Sequence, residues 1–314
     1  DLCLGEIITN ISCCNIESLK NLKLSANWMA SSSSNQEINK LYSATKRLSS
    51  LCRQLNITIP VGKDSLSMKT SWRKSEKNYE VESLVSLVLS GFTKINDVSQ
   101  IITPDLKGDG NLYLIDIANN QQRLGGSAFE QVNSLSISDV PKIDSLESIK
   151  SYFELSQKLV KNKVISAYHD KSDGGLFTTL AEMAFAGNKS VILDKVTNLI
   201  DTNEKLNRFM FNEELGVVVE VQKNMEQKFK KLCKSSSIGK NIVHLGSTKS
   251  KVKPVLRIIS KNNIEMPIYM LRASWSKLSY NIQSLRDNPK TSRQEYESKI
   301  SIHKNYLNPR FVFK

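Results

Sequence analysis

The chain has 314 residues, 39% of them hydrophobic, with a net charge of +13 and a pI of about 9.4. That length fits two domains of ordinary size, and a mean hydropathy of -0.32 with no long apolar window excludes a helical membrane protein. The positive charge would suit nucleic acid, yet the basic residues are spread along the whole chain. The densest runs, at 228–231 and 249–253, read as solvated surface, and neither an RNA-binding aromatic signature nor a zinc finger accompanies them. Neither a nucleic-acid partner nor a membrane is therefore expected.

The five cysteines, Cys3, Cys13, Cys14, Cys52 and Cys233, are odd in number, form no C-x-x-C pair and lie far in sequence from His169, His244 and His303. Zinc would want clustered ligands, so reduced, buried thiols of a cytoplasmic protein are expected. The start at Asp1 has no initiator methionine, basic leader or cleavage site. It reads as an internal start, and the chain is expected to be part of something longer. Without a secretion signal, the sequons at Asn10 and Asn56 are chance matches.

In chain order, Leu4, Ile7, Ile8 and Ile11 form an apolar stripe at helical spacing and predict a helix over 2–17. Residues 22–27 are extended, and the serine run at 31–35 is a loop. A second amphipathic helix covers 37–55 with Leu41, Ala44, Leu48, Leu51 and Leu55 inward. The β-branched run 57–61 predicts a buried strand, and 81–92 a long apolar one. Pro104, Gly108 and Gly110 flank a polar stretch that marks a domain boundary. Beyond it come a strand at 111–117, helices around 125–132 and at 146–162, and a strand at 164–168. A helix at 176–186 is stopped by Gly187; a strand at 216–221 and a helix at 225–233 follow. From Trp275 onward the chain reads as a mixed polar tail. Alternating strands and helices predict an α/β (α+β) protein, with a mixed-sheet domain at 1–104, an α/β domain at 105–274 and a tail at 275–314.

Five constellations could carry chemistry. In Tyr168-His169-Asp170-Lys171-Ser172-Asp173-Gly174-Gly175, two carboxylates bracket a hydroxyl between a strand and a helix. Carboxylate oxygens suit Mg²⁺ and a helix N-terminus suits phosphate; the plain alternative is an N-cap by Ser172 or Asp173. Glu6 and Asn10, four apart on a helix, share one face and offer oxygen ligands, or are ordinary surface. Gly62-Lys63-Asp64-Ser65 follows a strand and reads as a loop able to hold phosphate oxygens, although it is not a Walker A loop; a strand-end turn is the alternative. Gly125-Gly126 opens a helix and suits either phosphate or tight packing. Glu213 and Glu214, before an apolar strand, either contact substrate or ammonia or form a solvated turn. No nucleophile–base pair stands out, and no glutaminase Cys–His–Glu can be assembled.

Taken as a set, residues 24–30 (LSANWMA), 59–70, 124–128 (LGGSA), 167–187, 211–216 and 285–289 (LRDNP) resemble the long single-chain form of phosphoribosylformylglycinamidine synthase, in that family's order and about its spacing. The resemblance runs from Gly5 to about Phe313. The family is similar to the aminoimidazole ribonucleotide synthetases. Its large form carries two tandem copies of a two-domain unit and then a glutaminase. This chain resembles the second copy, beginning inside that copy's first domain and stopping near the linker to the glutaminase.

The resemblance implies an ATP-dependent ligase of purine biosynthesis that uses Mg²⁺, formylglycinamide ribonucleotide and glutamine. It implies two partners, the first synthetase half and the glutaminase. By the same resemblance, Glu6, Asn10 and Asp170 match magnesium ligands and Ser172 a nucleotide contact. Gly62, Lys63 and Ser65 belong to a loop near ATP and substrate; shorter relatives differ at Lys63 and Asp64. The family's glycine-rich nucleotide loop and catalytic histidine belong to the first copy, so no catalytic residue is expected here. The alternatives are another ATP-using synthetase of the superfamily and a basic nucleic-acid module. A selenophosphate synthetase-like enzyme would carry its own reactive Cys, which is not visible; the basic module would bind oligonucleotide with a steep salt dependence.

Overall fold

The structure is a computed structural model that describes residues 1–251 and 253–301. His303 and the end of the family resemblance lie outside the described residues. The first part runs α1 (Leu2–Ile11), β1 (Lys23–Met29), α2 (Asn35–Leu55), β2 (Thr58–Ser65), β3 (Lys69–Lys74), β4 (Lys77–Glu82) and β5 (Ser86–Phe92). It is followed by β6 (Asn111–Asp116), α3 (Ala128–Val132), α4 (Leu146–Lys161), β7 (Ala167–Lys171), α5 (Gly175–Gly187), β8 (Ser190–Leu193) and α6 (Asn203–Phe211). Last come β9 (Gly216–Val221), α7 (Glu226–Lys234), β10 (Ile242–Lys249), β11 (Val255–Ile258), β12 (Ile264–Pro267), α8 (Ile268–Arg286) and α9 (Pro289–Ile300). The fold is mixed α/β, as the alternation predicts.

The larger sheet has seven strands in the order β12-β11-β8-β10-β6-β9-β7. Its β9 is buried along its whole length, because both faces of the sheet are covered. Val217, Val219 and Val221 face one core with Tyr113, Tyr152 and Leu159; Val218 faces a second with Leu176, Leu180 and Leu245. Glu220 interrupts the valines, wholly buried, and accepts from Lys107 N–H, Gly108 N–H, Ser166 Oγ and Thr248 Oγ1 at 2.6–2.9 Å. Four donors replace its water, and the carboxylate fixes the turn that leads into β6. The smaller sheet, β2-β1-β5, pairs β1 parallel with β2 and antiparallel with β5. Leu4, Ile8, Leu22, Leu24, Leu48 and Leu51 join it to the first core.

Several expectations change. The first helix stops at Ile11 rather than at 17. Buried Gln157 of α4 accepts from the N–H groups of Ile16 and Glu17 at 2.8 and 3.2 Å, which takes those donors out of the helix, and Glu17 turns the chain at a φ of +63°. The run 81–92 is two strands, broken where Val85 N–H donates to Glu37 of α2 at 2.8 Å. β2 is neither short nor buried: Val61 is 59% exposed, because no element among the described residues covers that side. The strand expected at 164–168 begins at Ala167. The supposed polar tail is a helical hairpin, in which Tyr280 of α8 stacks on Tyr296 of α9 at 4.7 Å. The strands β8, β10, β11 and β12 and the helix α6 carry no clear pattern of their own; their partners in the larger sheet and the second core complete them.

Candidate functional site

The site is built around β7, the edge strand of the larger sheet. Strand alternation sends Tyr168 and Asp170 towards α1 and α4, and His169 and Lys171 towards α5 and α6. The Tyr168 hydroxyl reaches the Thr9 carbonyl of α1 and pairs with the Tyr152 hydroxyl of α4. This buried tie fixes α1 against β7 and brings its polar face beside Asp170.

Glu6 and Asn10 lie on that face, exposed, and line a cleft of about 390 Å³ with Leu87, Val88 and Leu89 of β5. Burial raises the Glu6 carboxyl above its ordinary range, and the negative charges of Asp170 and Asp173 push it further up. The three carboxylates thus repel one another across this region. Asp170 is 6% exposed, and its Oδ1 lies 3.1 Å from His169 Nδ1. The opposite ring nitrogen lies 2.9 Å from Glu182 Oε2 of α5. Burial opposes the imidazolium, but the two carboxylates overcome it and raise His169 to about 9, so the ring is charged at neutral pH. Trp275 Nε1 of α8 donates to the other Glu182 oxygen at 2.8 Å.

Among the described residues, no group of three or more His, Cys, Asp or Glu side chains could hold a metal ion. A self-sufficient metal cage is therefore absent there. The oxygen donors still fit Mg²⁺ in kind, because that ion takes one or two carboxylates and completes its shell with phosphates and water.

After β7 the chain turns through Ser172 and Asp173 into α5. Gly174 and Gly175 have φ of +78° and +66°, and a Cβ on Gly175 would stand 2.6 Å from the Asn212 carbonyl. Both positions call for glycine. Neither Ser172 nor Asp173 caps α5. Instead Glu213 Oε1 accepts from Gly174 N–H at 2.7 Å and from Ala128 N–H, at the start of α3, at 2.9 Å. A protein carboxylate therefore already occupies the anion position shared by these two helix starts.

The segment Gly62-Lys63-Asp64-Ser65 is not a loop but the second half of β2, paired with residues 26–29 of β1. Gly62 has no positive φ and lies opposite Ala26, beside a cleft of about 620 Å³ under α2. Lys63 and Ser65 point to the other face, where the Lys63 ammonium donates to the Ser65 hydroxyl. Lys63 and Val88 flank Asn27 from either side; two strand spacings put them about 10 Å apart. The buried amide oxygen of Asn27 has no partner.

One further expectation changes, and one open alternative is decided. Glu214 is wholly buried and binds Arg123, whose Nη2 donates to it at 3.0 Å and to Asp144 at 2.7 Å, so Glu214 is neither in a solvated turn nor open to a substrate, while Glu213 is half-buried. Gly125 serves packing, since a Cβ there would stand 2.6 Å from the Ile137 carbonyl. Sequence reasoning missed the roles of Tyr168, Glu182, Trp275 and Lys171. Lys171 is buried and donates to Asn212 Oδ1 at 2.6 Å; desolvation lowers it to about 8 despite Asp116 and Glu214 nearby. Its signal was a lysine inside an alternating strand that is otherwise buried.

Residues 1–94 match the domain described as FGAR-AT PurM_N-like, and residues 112–259 match the AIR synthase related protein, C-terminal domain. The chain belongs to the AIR synthase-related superfamily. Solved structures agree in fold. The hydrogenase maturation protein HypE superposes with a TM-score of 0.61 at 13% identity, over 85% of this chain and 81% of that one. T. maritima PurL complexed with FGAR gives a TM-score of 0.59 at 11% identity, over 85% of this chain and 42% of that one. PurL complexed with ATP gives 0.56 at 11% identity, over 85% and 40%. The chain thus spans about two fifths of the PurL chain. At these identities the likeness concerns the fold. Among the described residues, no helix of this superfamily member is long and apolar enough to cross a membrane.

Proposed function

We propose that this chain is one synthetase half of an ATP-dependent ligase that converts formylglycinamide ribonucleotide and glutamine to the amidine, working in the cytoplasm with another synthetase half and a glutaminase. The observation that carries the reading is the α1–β7 junction, tied by Tyr168 to the Thr9 carbonyl, inside a tandem of the two superfamily domains, where the charges of Asp170 and Asp173 act on Glu6. Glu6, Asn10 and Asp170 would hold Mg²⁺, which supplies charge neutralisation of nucleotide phosphates when bound. Ser172 would meet the nucleotide, and Gly62, Lys63 and Ser65 would lie near the triphosphate and substrate. In that arrangement the protein's own part is positioning: Tyr168 holds α1 to β7, and His169 holds the Asp170 carboxylate in one orientation.

The open face of the small sheet supports a docked partner half. Val61 on β2 and Val88 and Phe92 on β5 are 51–60% exposed on the two outer strands of that sheet. The test is thermal stability with Mg²⁺–ADP, with and without the first synthetase half. The expected result is a rise in Tm only when the partner half is present, abolished by Asp170→Asn. Tight binding and turnover by the isolated chain would remove the proposal. A second reading, another ATP-using synthetase of the superfamily, draws on the likeness to HypE over most of that protein's length. Binding of formylglycinamide ribonucleotide by the assembled halves would favour the first reading.

A further inference from the structure

The functional reading leaves one reactive cluster unused. Cys13 and Cys14 follow the end of α1, with their sulfurs 3.5 Å apart and in hydrogen-bond contact. Cys13 is half-buried and Cys14 buried, and both thiols are free. We propose that this adjacent pair is a reversible oxidation site, closing to a vicinal disulfide when it meets a small disulfide of the glutathione class.

The chemistry balances. A thiolate of the pair attacks one sulfur of the small disulfide and expels the other half as a thiolate; the mixed disulfide is carried on the more exposed Cys13. Cys14 then attacks the Cys13 sulfur and releases the second half as a thiol. The two protein thiols lose two electrons and two protons, and the small disulfide gains both to become two thiols. The sulfur–sulfur hydrogen bond favours the thiolate that makes the closing attack. It lowers Cys14 to about 7 against the pull of burial, and raises its partner Cys13. A thiolate, not a thiol, is the attacking species.

Backbone geometry makes the product labile. Consecutive Cα atoms lie about 3.8 Å apart across a trans peptide, shorter than the range of about 4.4–6.8 Å that unstrained disulfides span. A bridge here stores strain and is readily reduced, as befits a switch rather than a staple. The neighbouring peptides make it consequential. The Cys13 carbonyl accepts from Ile102 N–H at 3.1 Å, and the Cys14 carbonyl accepts from Gln157 Nε2 at 3.1 Å. Twisting the peptide between the two cysteines disturbs both bonds, and with them the seam joining α1, α4 and the connection into the second domain.

Cys3 shares a tryptic peptide with the pair but does not compete with it. Cys3 lies ten residues before Cys13, at the far end of α1, which at 1.5 Å per helical residue is about 15 Å away.

The test treats the folded chain with glutathione disulfide, alkylates the remaining thiols after denaturation, and reads the tryptic peptide 1–20 by fragmentation mass spectrometry. The expected result is a fall from five alkylatable thiols to three, with Cys3 alkylated and residues 13–14 unalkylated and two hydrogens lighter. Dithiothreitol should restore both thiols, and amide protection at Ile102 should be lost on oxidation. Cys14→Ser should trap a glutathione adduct on Cys13. Alkylation of both Cys13 and Cys14 after treatment overturns the proposal, as does a separate adduct on each or a bridge from either to Cys3. The wild-type chain alone decides among these outcomes, whatever the folding of the variant.

Discussion

At the scale of single residues, the turn after β7 is the most demanding position in the site. Gly175 combines a φ of +66° with a carbonyl 2.6 Å from the position a Cβ would take, whereas Gly126 at φ +74° has nothing within 4 Å. Gly126→Ala is expected to cost only the conformational part, about 1–3 kcal/mol. Gly175→Ala should cost that and a backbone collision with Asn212 as well. Urea denaturation of the two variants separates the parts, and equal midpoints would contradict this account. The setting of this turn between a strand and a helix was legible, because the apolar runs on either side mark both elements. The occupant of the helix start was not legible: Glu213 arrives from 39 residues away in sequence, and no local pattern announces such a partner.

At the scale of elements, what was legible followed periodicity. α2, α4, α5 and β9 fall within two residues of their expected bounds, because apolar spacing and end signals act locally. The end of α1, the break between β4 and β5, and the identity of α8 depend on Gln157, Glu37 and α9, respectively, and these act from a distance. The β3–β4 hairpin is the least supported element. It is a separate two-stranded sheet, held by the ladder and by Trp72 stacked on Tyr79 at 5.6 Å, with both rings more than 40% exposed. Two-stranded hairpins are marginal in water, so its amides should exchange first in native-state hydrogen exchange and those of β9 last. Protection of residues 69–82 equal to that of 216–221 would contradict this.

At the scale of the whole molecule, the first core takes Leu4, Leu24 and Leu51 from one domain match and Tyr152, Val217 and Phe229 from the other. A core shared in this way couples the two units. Denaturant unfolding should therefore show one transition by both far-UV circular dichroism and tryptophan fluorescence. A fragment of residues 1–104, deprived of the second half of that core, should lack cooperative structure. Two separated transitions would mean that the shared core contributes little.

By itself, the sequence determined the α/β class and the acidic, glycine-bearing turn after β7, because periodicity and turn chemistry are written in neighbouring residues. Only the tertiary structure decided what faces what. It brought Glu6 beside Asp170, turned Gly62-Lys63-Asp64-Ser65 from a loop into a strand, and filled two helix starts with Glu213. Those outcomes depend on burial and on hydrogen bonds between residues far apart in the chain, which no local pattern encodes.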